Sequence, residues 1–94
     1  MLEKEIERKL VKQTKACNGM CLKFTSPSLT GVPDRIVLLP RGKMGFVEVK
    51  RPGERPSPIQ VKRIEQLREL GFKVFVLDNK NDIKKILDEI GGDA

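Results

Sequence analysis

The chain has 94 residues, with 19 Lys and Arg against 13 Asp and Glu, for a formal net charge of +6. It contains no His, Trp or Tyr. Those absences exclude Ser-His-Asp hydrolysis, Cys-His proteolysis, His-ligated zinc, His-based nuclease chemistry and strand transfer through a tyrosine nucleophile. Chemistry in which carboxylates hold Mg²⁺ and the metal does the activating is still open.

The length fits one small domain spanning residues 1–94. A chain this short buries about 65% of the surface its unfolded form exposes, so a dimer interface would add usefully to its stability. The apolar runs, Ile36 to Leu39 and Val74 to Leu77, are far too short to span a bilayer. Met1 leads into Glu3-Lys4-Glu5 rather than an apolar stretch, so a cytoplasmic protein with no membrane partner is expected. Cys17 and Cys21 lack further ligands for zinc and read as reduced thiols that act as small core hydrophobes.

The positive charge is uneven. From Val76 to Ala94 three Lys face four Asp and one Glu, a net of −2, whereas the first 75 residues carry 16 basic and 8 acidic groups, a net of +8. A polyanion is the partner such a body fits.

In chain order, Leu2 to Ala16 reads as a helix, with Leu2, Ile6 and Leu10 recurring at i+4 beside Val11 and with Lys and Arg over much of the rest. Asn18-Gly19 ends it. Met20 to Phe24 is a short strand. Ser26 to Gly31 is a loop rich in turn residues. Arg35 to Leu39 and Met44 to Lys50 form a β-hairpin around Arg41-Gly42. Arg51 to Pro56 is a basic loop.

A second helix opens with Ser57 as N-cap, Pro58 at the first position and Gln60 at N3, and stops at Gly71. Phe72 to Leu77, apolar nearly throughout, reads as a central strand buried on both faces. The last helix runs from about Asp82 to Ile90, with Ile83, Ile86, Leu87 and Ile90 on one face. The order α-β-β-β-α-β-α combines an antiparallel hairpin with a parallel βαβ crossover. An α/β fold with a mixed central sheet flanked by helices follows.

Strand residues alternate faces, so Glu48 and Lys50 lie on one face, roughly 6.6 Å apart. With the turn centred on Arg41-Gly42, paired residue numbers sum to about 82–84, which sets Asp34 opposite Glu48 or Lys50. Two carboxylates and an amine then converge, as phosphodiester hydrolysis requires. Asp34 and Glu48 offer hard oxygen ligands for Mg²⁺, and Lys50 would orient the attacking water or take its proton. Each residue alone also has an ordinary reading. Asp34 fits a turn, Glu48 and Lys50 fit a solvent-facing stripe, and Gln60 fits a capping box with Ser57.

Gly31-Val32-Pro33-Asp34, then Glu48-Val49-Lys50 after a hairpin-length gap, then Ser57-Pro58-x-Gln60 opening a helix, resembles the PD-(D/E)xK nuclease superfamily. The match is closest to its VRR-NUC family in the short, stand-alone, phage-type form. The resemblance implies a restriction-endonuclease-like α-β-β-β-α-β core plus a C-terminal helix. It implies a metal-dependent DNA endonuclease in the cytoplasm of a bacterial or phage-infected cell, with Mg²⁺ or Mn²⁺ as cofactor. It also implies metal ligation by Asp34, Glu48 and the Val49 carbonyl, with Lys50 as the catalytic lysine and Gln60 lining the site. The family's glutamate on the first helix falls on Glu3, with Glu7 second.

Stand-alone members are similar to homodimeric Holliday-junction resolvases, which implies branched or four-way-junction DNA as partner and a homodimer. Ser26 to Gly31 and Arg51 to Arg55 are the expected DNA-facing loops. Ser26, Lys23, Arg35 and Arg51 are the candidate nucleic-acid contacts. The competing reading is a non-catalytic DNA-binding module that retains the nuclease fold.

Overall fold

The computed structural model describes residues Leu2–Gly92. Helix α1 spans Glu3–Ala16 and buries Ile6, Leu10 and Thr14, a stripe at i, i+4 and i+8. The Thr14 hydroxyl donates to the Leu10 carbonyl at 2.7 Å, which satisfies the one polar group on that stripe. Asn18 takes a left-handed φ of 63° and turns the chain. Gly19 then packs tightly against the sheet: a Cβ there would stand 2.4 Å from the Leu38 carbonyl oxygen.

Strands β1 (Met20–Lys23), β2 (Arg35–Leu39), β3 (Lys43–Val49) and β4 (Val74–Leu77) form one sheet in the order β1-β2-β3-β4. β1 and β3 run antiparallel to β2, and β4 runs parallel to β3. Helix α2 (Pro58–Glu69) makes the parallel crossover, and α3 (Ile83–Gly91) closes the described chain. The mixed sheet with three helices is the α/β architecture expected from the sequence.

Apolar side chains cover both faces of the sheet. Val37, Val47, Val49 and Leu77 meet Ile6 and Leu10 of α1 and the apolar face of α3. On the other face, Phe46 and Val74 meet Ile64 of α2. Ile83, Ile86, Leu87 and Ile90 of α3 are all buried, as their spacing predicts.

The fold corrects two expectations. β4 is an edge strand, not a central one; β3 is the strand buried along its length from Gly45 to Val49. Val76 and Phe72 are exposed. Cys17 is exposed, because it caps α1 at the solvent side. Cys21 does pack against the core, and burial pushes its thiol pKa up.

Candidate active site

The hairpin register sums to 82, as in Arg35 with Val47 and Ile36 with Phe46. Carried one step further it sets Asp34 beside Glu48, and two steps further Pro33 beside Val49. Asp34 Oδ2 accepts the Val49 N–H at 3.2 Å. Proline has no N–H, so the ladder cannot engage the Val49 carbonyl from that side. One carboxylate is therefore fixed at the end of β2 and β3, with the Val49 carbonyl beside it.

Glu48 lies on the face of β3 that α2 covers, and its side chain is only 1% exposed. Lys50 Nζ stands 3.2 Å from Glu48 Oε2. Gln60 Nε2 donates to the same oxygen at 2.9 Å. Both donors act on Oε2 and hold the carboxylate in one orientation. Glu48 Oε1 is buried and has no hydrogen-bond partner among the described residues.

Gln60 serves two ends at once. Its Oε1 accepts the Ser57 N–H at 2.9 Å, and Ser57 Oγ accepts the Gln60 N–H, completing a capping box. The amide N of the same side chain is left to face Glu48. The helix start is thus also a positioning device for the site.

Both carboxylates have raised pKa values. For Asp34, burial is the main cause, opposed by the Val49 N–H and joined by the negative charge of Glu7. For Glu48, burial again leads, followed by repulsion from Asp34 and opposed by Lys50. The Asp34 N–H also favours ionised Glu48, as the last and smallest of these effects. The site holds two like charges close together and partly out of water.

A divalent cation fits this arrangement. Mg²⁺ and similar hard cations take oxygen ligands, with one or two carboxylates sufficing beside water. Asp34 and Glu48 supply those carboxylates, and the buried Glu48 Oε1 lacks a partner among the described residues. No group of three or more His, Cys, Asp or Glu side chains among the described residues is placed to hold a metal, so the carboxylate count stops at two.

The first-helix glutamates separate. Glu7 Oε2 accepts from Arg35 Nε at 2.8 Å, and its charge reaches Asp34. No hydrogen bond or ion pair among the described residues ties Glu3 to this group. Of the candidate nucleic-acid contacts, Arg35 is 13% exposed and engaged with Glu7. Arg51 is exposed beside Glu54, at 3.3 Å. Lys23 ends β1 and is exposed; Ser26 is half-buried in the loop before Asp34.

Gly31 has a role that its turn character alone does not reveal. Its φ is +86°, and a Cβ there would meet the Ile59 carbonyl oxygen at 2.9 Å. Arg63 Nε donates to the Thr30 carbonyl at 2.8 Å. Together they clamp the loop that carries Asp34 against the start of α2, which carries Gln60. A Gly three residues before an Asp, in a loop leading to a strand, was the available signal.

The raised carboxylate pKa values make a stability prediction. A carboxyl whose folded pKa is raised favours folding below its unfolded pKa and loses that contribution as pH rises through the folded value. Asp34→Asn keeps an acceptor for the Val49 N–H and removes the repulsion with Glu48 and Glu7. In chelator at pH 7.5 it should melt higher than wild type by about 2–4 °C, equivalent to about 0.5 kcal/mol for a half-buried group. The gap should close as pH falls through the carboxylate range. In excess Mn²⁺ the order should reverse, because a bound cation at about 100 times its Kd would stabilise by about 2.7 kcal/mol and the variant offers one carboxylate fewer. Thermal melts with and without metal check both signs.

A mixed sheet that presents paired carboxylates and a lysine at one strand end is the framework of a nuclease-type hydrolase. The VRR-NUC domain family model matches residues 3–81, and the chain belongs to the VRR-NUC family. It is 47% identical over 85 residues to "Putative nuclease p44" of Acyrthosiphon pisum secondary endosymbiont phage 1, covering 90% of each protein. It is also similar to a solved VRR-NUC domain, with a TM-score of 0.86 and 29% identity over 94% of this chain and 97% of that one.

Proposed function

We propose that this chain is a Mg²⁺- or Mn²⁺-dependent endonuclease that hydrolyses phosphodiester bonds in branched DNA, four-way junctions above all, as a homodimer. Residues 1–94 act as one nuclease domain. The observation that carries the reading is Glu48: a nearly inaccessible carboxylate, beside a second carboxylate, with one oxygen unpartnered. Leaving a buried carboxylate oxygen without a partner is costly unless a cation completes it.

Asp34, Glu48 and the Val49 carbonyl hold the cation in this account. When bound, the cation would supply neutralisation of phosphate charge and acidification of water. Lys50, anchored on Glu48 Oε2, orients the attacking water and offsets charge on the phosphate. Gln60 fixes the Glu48 rotamer. Hydrolysis forms a P–O bond to water and breaks one to a sugar oxygen. A non-catalytic DNA-binding module would not need Glu48 held in this way, since carboxylates near DNA repel phosphate.

Two features support the dimer. Each chain has one site, whereas symmetric cuts on a four-way junction need two. Both outer strands, β1 and β4, leave an open sheet edge with exposed Met20, Leu22 and Val76 on or beside it. No helix among the described residues is long and apolar enough to cross a membrane. We place the protein in the cytoplasm of a bacterial or phage-infected cell, where its DNA substrate lies.

One panel tests the proposal: four-way junction, flap, duplex and single-stranded DNA, each with Mg²⁺, Mn²⁺ or chelator, together with sedimentation of the protein. The expected result is metal-dependent, paired cuts on the junction by a dimer. Cleavage confined to DNA ends would overturn the endonuclease reading. Binding without cleavage in any metal would favour the non-catalytic module.

A further inference from the structure

The sequence places Lys and Arg over much of the first helix outside its apolar stripe, and the fold gives those cations a common setting. Lys4, Arg8, Lys12 and Lys15 of α1 and Lys23 of β1 line one groove of about 580 Å³, with Arg35 and Glu7 in its wall. Lys4, Arg8 and Lys12 stand at i, i+4 and i+8, so their charges follow one another at about 6 Å along a single helix stripe. That step is comparable to the spacing of phosphates along a nucleic-acid strand.

Local structure does not account for this row. Like charges four residues apart destabilise a helix, and Arg8 has a cation four residues away on both sides. None of Lys4, Arg8, Lys12, Lys15 and Lys23 forms an ion pair with a described residue. The one acid in the groove, Glu7, is paired with Arg35 at 2.8 Å. On α3, by contrast, Lys84 is paired with Asp88 at 2.8 Å. The groove thus presents a positive lining with no counter-charge of its own. Its wall lies near the site. Arg35 follows Asp34 in the chain, and the charge of Glu7 is felt at Asp34.

We infer that the α1–β1 groove binds the phosphodiester backbone of a nucleic-acid strand entering or leaving the Asp34–Glu48 site. The inference rests on the nuclease reading for the direction of the strand, and on charge and geometry alone for the binding. The Glu7–Arg35 pair would then separate the strand-binding cations from the carboxylates and keep each in its own field.

The test uses the triple variant Arg8→Gln/Lys12→Gln/Lys15→Gln. Its control is Lys80→Gln/Lys84→Gln/Lys85→Gln, which removes the same charge from the other end of the chain. Binding of labelled single-stranded and duplex DNA of equal length is followed by anisotropy in chelator over a range of KCl. Removing three cations that face phosphate should weaken binding by roughly tenfold or more and flatten the log–log salt slope by about 2–3. The KM for cleavage should rise by a similar factor, with the control close to wild type. The DNA form whose slope flattens identifies the strand type the groove holds. Unchanged affinity and slope in the triple variant, or an equal loss in the control, would overturn the inference. A wild-type protein that shows the groove effect but cuts no DNA in any metal would defeat the nuclease reading while leaving the groove as a nucleic-acid surface.

Discussion

Glu48→Ala and Asp34→Ala are each expected to slow DNA cleavage by roughly 1,000-fold or more at saturating DNA, measured in single-turnover assays with Mg²⁺ or Mn²⁺. The loss should fall on the chemical step, because both carboxylates lie together at the strand end and neither belongs to the basic groove inferred to bind DNA. For the same reason, Asp34→Ala without metal should bind DNA as tightly as wild type or more tightly, since a negative charge near phosphate has gone. Lys50→Ala should lose roughly 100-fold or more, as expected for a group that positions water and offsets developing charge. Circular dichroism and melting curves separate these effects from misfolding. Undiminished cleavage by Glu48→Ala and Lys50→Ala together would remove the assignment.

Gly31→Ala should be the most damaging substitution outside the charged group, costing about 100-fold in kcat. The backbone φ of +86° is one that alanine adopts only with strain. The added methyl would also press on the Ile59 carbonyl at 2.9 Å, on Ile59 Cγ1 at 3.0 Å and on Arg63 Cγ at 3.1 Å. The Ile59 carbonyl is backbone of the first turn of α2 and cannot swing aside. Relief requires the loop and the helix to separate, which moves Asp34 away from Gln60 and loosens Gln60 on Glu48. Global stability should fall by only about 1–2 kcal/mol, because the loop is exposed and the core clusters lie elsewhere. The diagnostic pattern is a kcat loss far larger than the change in DNA affinity. A Gly31→Ala protein with normal kcat would show that the clamp does not set the geometry.

Much of this fold is legible in local chemistry. Ser57-Pro58-x-Gln60 specifies the start of α2, and the structure shows both hydrogen bonds of the box. The turn at Arg41-Gly42 pins the hairpin register to within one step, enough to bring Asp34 beside Glu48. Strand order is different, because it depends on tertiary packing. The run from Phe72 to Leu77 is as apolar as a central strand, yet it lies at the edge, where Val76 meets solvent. Apolar content measures burial propensity, not the number of neighbours.

The site divides in the same way. Asp34, Glu48 and Lys50 are brought together by strand parity, a local rule, whereas capping explains Gln60 only as a helix start and its place at the site comes from the family resemblance. The placement of Glu7 depends on the rotation of α1 against the sheet, which Ile6, Leu10 and Thr14 set jointly with β1. Arg35 reads as a surface cation from sequence, but it is drawn inward by Glu7, a partner 28 positions away. The groove that the α1 cations share is not legible in the sequence, because a helix pattern cannot show that β1 lies beside it.

If the buried carboxylate pair exists to hold a divalent cation, the protein should bind one in the absence of DNA. Calorimetric titration of Mn²⁺ into wild-type protein, Asp34→Asn and Glu48→Gln reads this out. Wild type should bind saturably, and more tightly as pH rises through the raised carboxylate range, because the cation must displace protons. Each variant should bind at least about tenfold more weakly. Equal Mn²⁺ affinity in all three proteins, or no saturable binding by wild type near neutral pH, would refute that role for the pair.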